Sequence, residues 1–109
     1  MIPPDSKLTL TTVAGAFETL SITTAQALPA ALREQTIEGR VCYACRAFIS
    51  VEDQDIRICF DGSTPNATNG HKLIDGASFF LEGSQNVASL KLIAVTGTAK
   101  VQVTSYFIR

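Results

Sequence analysis

The chain predicts an all-β fold: an antiparallel β-sandwich, jelly-roll-like, with about seven or eight short strands. Three observations carry this. Short runs alternate apolar and polar residues with the period of a half-buried strand. Turn residues punctuate those runs about every ten positions. No long stretch follows the helical period.

Size and composition set the frame. The chain has 109 residues, the length of a single domain. Its residues are 46% hydrophobic and 17% charged, which excludes a disordered chain. Nine basic and ten acidic residues give a net charge of -1. That offers no basic footprint for nucleic acid. The sparse charge predicts a surface partly covered by copies of the chain or by a larger assembly. No apolar run is long enough to span a membrane. Met1 to Asp5 lacks the basic-then-apolar pattern of a signal peptide. A chain kept in a reducing cytoplasm is expected, and three cysteines cannot close a paired disulfide framework.

Residues 1–16 read as an extended arm or a first strand. Pro3 and Pro4 favour an extended start. Leu8, Leu10 and Val13 alternate with Thr and are candidate interface positions. The β-sandwich domain is expected over 17–109. Phe17 to Thr24 reads as a strand with Leu20 and Ile22 on one face. Around Pro29 the chain leaves two readings open, a helical turn or two ending near Gln35, or an irregular loop. Ile37-Glu38-Gly39-Arg40 matches a common protease-tag cleavage sequence, read here as coincidence.

Arg40 to Val51 is apolar on both faces and predicts one central strand. Val41, Tyr43, Cys45, Ala47, Ile49 and Val51 share one face. Cys42, Ala44 and Phe48 share the other, as a candidate interface. Glu52 to Asp55 is a polar turn, read as a solvated hairpin end. Ile56, Ile58 and Phe60 point inward on the next strand. After a polar loop, Lys72 to Ile74 is brief, and Asp75-Gly76 marks a tight turn. Ala77 to Leu81 sets Phe79 and Leu81 against Phe80. Glu82 to Asn86 reads as a loop. Ala88 to Val95 then reads as a strand, and Ala99 to Ile108 as the last, with Val101, Val103 and Phe107 inward.

Candidate chemistry is thin. Cys42 and Cys45 have the C-x-x-C spacing, but redox chemistry needs that pair at a helix N-terminus. On a strand, residues three apart face opposite ways. Zinc held with Cys59 and His71 would need a turn at Tyr43-Ala44, so buried thiols are the expected reading. His71, the single histidine, has no nucleophile motif to serve. Glu52, Asp53 and Asp55 lack the order of a calcium loop. Asn66-Ala67-Thr68 fits the N-glycosylation pattern, which needs secretion to matter. No catalytic, cofactor-binding or metal residue is assigned.

The loop from Asp61 to His71 stands apart. Asp61-Gly62 starts a tight turn and Pro65 fixes φ within it. Thr64, Thr68 and Asn69 can bond backbone groups that lack ladder partners. Asn69-Gly70 suits positive φ. These features predict a rigid crossing between sheets. Together Asp61, Gly62, Thr64, Pro65, Thr68, Asn69, Gly70 and His71 form the candidate structural loop.

This loop carries a resemblance. Ile56 to Pro65, followed by Thr68, Gly70 and His71, resembles small structural proteins of tailed bacteriophages. In these, an Arg-containing strand runs into Asp-Gly-Thr-x-Pro-Thr and then Gly-His. Ser63 and Asn66 depart from the pattern. The likeness covers roughly the C-terminal half, through Leu81, with Leu90 to Ala94 and Val101 to Tyr106 matching more loosely. It implies a non-enzymatic virion protein of the capsid decoration or cement type, made in the host bacterial cytoplasm. The implied partners are further copies, with a trimer favoured, and the major capsid protein or a neighbouring virion protein. Head–tail connectors and tail adaptors are the alternative from the same source. A carbohydrate- or ligand-binding β-module is the alternative from a different class.

Overall fold

The computed structural model describes residues 12–108; Leu8, Leu10 and the arm before Thr12 lie outside them. Ten strands and two short helices are present among the described residues. They are β1 (Thr12–Ile22), β2 (Gln26–Ala27), α1 (Ala30–Arg33), β3 (Glu34–Ile37), β4 (Arg40–Tyr43), β5 (Arg46–Glu52), β6 (Ile56–Cys59), β7 (His71–Leu73), β8 (Ser78–Glu82), α2 (Ser84–Ser89), β9 (Lys91–Ala94) and β10 (Ala99–Ile108).

Eight of the strands make the two sheets of an antiparallel sandwich. The front sheet runs β1-β10-β5-β8 and the back sheet β2-β9-β6-β7. The pairings are nested: β1 with β10, β2 with β9, β5 with β8, β6 with β7. A single antiparallel ribbon, rolled so that β10 meets β5 and β9 meets β6, gives this order. That is the jelly roll predicted by the alternating strands. The ninth and tenth strands, β3 and β4, form a separate hairpin between β2 and β5. Glu38 and Gly39 at its tip both take positive φ, the pair of conformations a two-residue turn needs.

The strands alternate as their sequences require. In β10, Ala99, Val101, Val103, Ser105 and Phe107 are buried, and in β5, Ala47, Ile49 and Val51. They face Ile56, Ile58, Leu92 and Ala94 of the back sheet. Leu28 and Leu32 around α1 and Val87 and Leu90 around α2 are fully buried in the same core. Ser105 is the polar exception. Its hydroxyl donates to Leu32 O at 2.5 Å, satisfying both groups and tying α1 to the front sheet.

Several expectations are corrected. The 40–51 strand is broken. Ala44 N donates to Arg33 O and Cys45 N to Tyr106 O, so the chain leaves β4 and enters β5 through a kink. Val41 and Tyr43 therefore do not share the buried face of Ala47, Ile49 and Val51; they are 53% and 61% exposed. Ala88 lies in α2, not in a strand, and β9 starts only at Lys91. The loop expected over Glu82 to Asn86 contains the end of β8 and the first turn of α2. Glu52 to Asp55 does not end a hairpin, because β5 and β6 belong to different sheets.

Those residues are one of four corners where the ribbon passes between sheets, with 23–25, 74–77 and 95–98. Short polar side chains hold the corners together. Asp75 Oδ1 accepts Asp53 N at 3.0 Å, and Asp55 Oδ1 accepts Asp75 N at 2.8 Å. Thr23 and Thr98 hydroxyls meet at 2.9 Å, and Thr96 Oγ1 donates to Gln54 Oε1 at 3.1 Å. Lys72 sits 3.6 Å from Asp55.

Candidate functional site

The Asp61–Gly70 loop joins β6 to β7, which are antiparallel neighbours in the back sheet. It is the innermost hairpin of the rolled ribbon. The expected crossing between sheets is thus corrected: the crossings are the four corners, and this loop is the ribbon's tip. A long tip loop lacks ladder partners for its backbone, so other groups must supply them.

Asn66 is the hub. Its Oδ1 accepts Thr68 N at 2.9 Å and Asn69 N at 2.8 Å, and also Thr68 Oγ1 and Asn69 Nδ2. Its own N donates to Asn69 O at 3.0 Å. One side chain therefore replaces a turn of backbone bonding. Asp61 Oδ1 accepts Ser63 N at 2.9 Å in the same manner at the loop's start. That bond, with a second from the Ser63 hydroxyl, holds the exposed Asp61 carboxyl below its ordinary pKa.

Two cations from the back sheet clamp the loop from outside. Arg57, on β6, donates Nε to Ala67 O and Nη1 to Gly70 O, both at 2.9 Å. Lys91, at the start of β9, reaches Gly62 O at 3.4 Å and Thr64 Oγ1 at 3.3 Å. Pro65 is buried beneath the loop. Gly70 has φ +122, and a Cβ there would lie 3.1 Å from Ile58 O and from Pro65 Cβ.

Thr64, Thr68 and Asn69 thus take less of the backbone bonding than expected, and Asn66 takes more. The clues lay in the sequence: Asn two residues before Thr is an Asx-turn former, and Arg57 alternates off the buried face of β6. His71 opens β7 opposite Ile58, is exposed, and stacks on Phe60 with ring centroids 5.7 Å apart. The two rings, with Cys59, Asp61, Ser63 and Gly70, line an open cleft of about 390 Å³. Among the described residues no nucleophile bonds to His71, and no three His, Cys, Asp or Glu side chains converge on a possible metal position.

The interface candidates fall in different places. Ala44 is 1% exposed and is corrected to a core residue, because the kink after β4 turns it inward. Cys42 is half-buried against the core on β4. Cys45, on the kink, has its thiol 3.4 Å from Tyr106 O. Val13 lies near the start of β1, partly exposed.

Phe48 lies on the outer face of the front sheet, and the register shows what surrounds it. Phe17, Thr104, Phe48 and Phe80 stand in one row across all four strands. Phe48 and Phe80 pack with centroids 4.7 Å apart, and Tyr106 lies 6.0 Å from Phe80. The Arg46 guanidinium sits 3.9 Å over the Phe80 ring and pairs with Glu82 at 3.1 Å. Phe17 at 60% and Phe80 at 45% exposure leave this aromatic row open to solvent.

No family model, curated protein or solved structure matches this chain.

Proposed function

We propose that this chain is a non-enzymatic structural protein of a tailed-bacteriophage virion, a capsid decoration or cement subunit that self-associates and stabilises the head shell. The observation that carries this reading is the Asp61–His71 loop. Its sequence resembles a phage pattern, and its geometry suits a passive, rigid part. Asn66, Arg57 and Lys91 fix its backbone, and His71 stacks on Phe60. The outer aromatic row of the front sheet supports self-association or docking on a shell. Apolar patches left open on a folded domain favour burial against a partner. Many weak contacts on a repeating lattice add up to firm attachment. The resemblance favours three copies per assembly and the major capsid protein as partner. Head–tail connectors and tail adaptors remain the alternative setting within the virion.

Purified chain mixed with capsid shells should co-sediment with them, at hundreds of copies per particle for decoration and about a dozen for a connector ring. A chain that stays in the supernatant at every ratio rejects the virion reading. A ligand-binding module is the second reading, favoured by the Phe60–His71 stack beside its cleft. Glycan-array binding lost on Phe60→Ala would support it.

A further inference from the structure

β1 is the one long edge strand whose outer side pairs with no other strand among the described residues. The front sheet ends in β1 and β8, and the back sheet in β2 and β7. β2 and β7 are two and three residues long. β8 has five residues and ends at Glu82, which is paired with Arg46. Short or charged edges resist joining another chain. β1 has eleven residues, no proline, and one charge, Glu18. Its bulge at Gly15 is held by Gln35, whose amide donates to Gly15 O at 2.6 Å. Beyond the bulge, from Ala16 to Ile22, the ladder with β10 is regular, and no described strand pairs on the far side.

The geometry points to a second copy of this chain as the occupant of that edge, with the two β1 strands antiparallel over Ala16–Ile22 about a two-fold axis through Thr19. A two-fold that continues the sheet must keep facing residues on one face, so the axis passes through a residue. An axis through Glu18 would set two carboxylates opposite each other, which is destabilising. Moved to Thr19, it opposes Glu18 to Leu20 of the partner subunit and Phe17 to Ser21 of the partner subunit. Thr19 then meets Thr19 of the partner subunit, an uncharged β-branched pair; the Thr19 hydroxyl keeps donating to Gln102 Oε1 of its own chain at 2.6 Å. The exposed Phe17 ring gains a neighbour, and the outer faces of the two front sheets become continuous. Each copy owns one such edge, so the contact closes at two copies and builds no filament.

This inference rests on the self-association in the reading above and not on its virion setting; it names the contact and sets two copies where the resemblance favours three. The test uses the full chain with Thr19→Lys and Thr19→Glu, each checked for folding by circular dichroism and thermal melting. Sedimentation equilibrium should give the wild type a mass that rises with concentration towards two chains. Each variant alone should stay at one chain. An equimolar mixture of the two should return to two chains, because opposite charges then meet at the axis. A wild type that stays at one chain overturns the pairing and the self-association together. A wild-type mass of three chains, or association that both variants keep, overturns the pairing alone. Folded variants that dissociate and do not recover on mixing overturn the register. If the variants unfold, amide exchange of the wild type decides. Protection of Ala16–Ile22 that grows with concentration supports the pairing, and protection that does not grow overturns it. Failure to bind capsid shells bears on the virion setting only.

Discussion

Gly70 concentrates the demands of the loop into one position. Its φ of +122 is closed to other residues, and its missing Cβ makes room for Ile58 O and Pro65. Gly70→Ala should cost about 1–3 kcal/mol of stability, read from urea denaturation. Arg57 is the complementary case, since one guanidinium serves two carbonyls. Arg57→Ala should cost about 1–2 kcal/mol, and Arg57→Lys should recover only part, because an ammonium cannot present the same fork. Asp61 gives a pH signature. Its carboxyl is held below its ordinary pKa by Ser63. Its contribution to loop order is therefore complete above the unfolded carboxylate range and lost as pH falls through the lowered folded value. The Ser63 amide should lose exchange protection only as pH falls below the ordinary carboxylate range, through the lowered value of Asp61, and Asp61→Asn should flatten that response. Asp61 is marked in the sequence by the tight turn it starts with Gly62. Arg57 reads as an ordinary outward strand residue, and only the folded loop brings Ala67 O and Gly70 O to it.

At the scale of elements, the strands whose apolar residues alternate cleanly were legible. Leu20 and Ile22, Ile56 and Ile58, and Val101, Val103 and Phe107 all point where their spacing directs them. The failures have physical causes. Arg40 to Val51 has uninterrupted strand character, so nothing local marks the kink at Ala44 and Cys45. Bonds to Arg33 O and Tyr106 O, both distant in sequence, make it. Ala88, Leu90, Leu92 and Ala94 alternate as a strand would. Yet Val87 and Leu90, three apart, share the buried side of α2 and its exit, and packing overrides the alternation. Ser105 shows the opposite case, a polar residue on a buried strand face. Its hydroxyl is the lock between β10 and α1. Ser105→Ala should leave Leu32 O without that donor and cost about 1–2 kcal/mol in thermal or chemical denaturation. The loss should appear as faster amide exchange in α1 before β10 is affected.

The whole molecule is set by its nested pairing. Thr12 lies opposite Ile108, so the outermost strand pair joins the two ends of the described chain. Of the described strand pairs, only β6–β7 and β3–β4 are close in sequence. A fold built mainly from distant partners forms slowly, and refolding on the order of milliseconds to seconds is expected in stopped-flow fluorescence using the tyrosines. Microsecond refolding would contradict this topology. Denaturation should be a single transition by circular dichroism and fluorescence alike, because one core joins both sheets and both helices. This nesting was only partly legible. Alternation gave strands and turns, but the order β1-β10-β5-β8 depends on contacts that no local pattern encodes.

The closeness of Thr12 and Ile108 has a consequence for how the molecule can be rewired. The β3–β4 hairpin stands outside both sheets, and its Glu38-Gly39 tip is exposed, with open space around Gly39. A circular permutant, with Thr12 and Ile108 joined by a short tether and new termini cut at that tip, would keep every rung of both sheets. The same two sheets would then be threaded in a different order. The turn that happens to spell a protease-tag sequence becomes the natural place to open the ring.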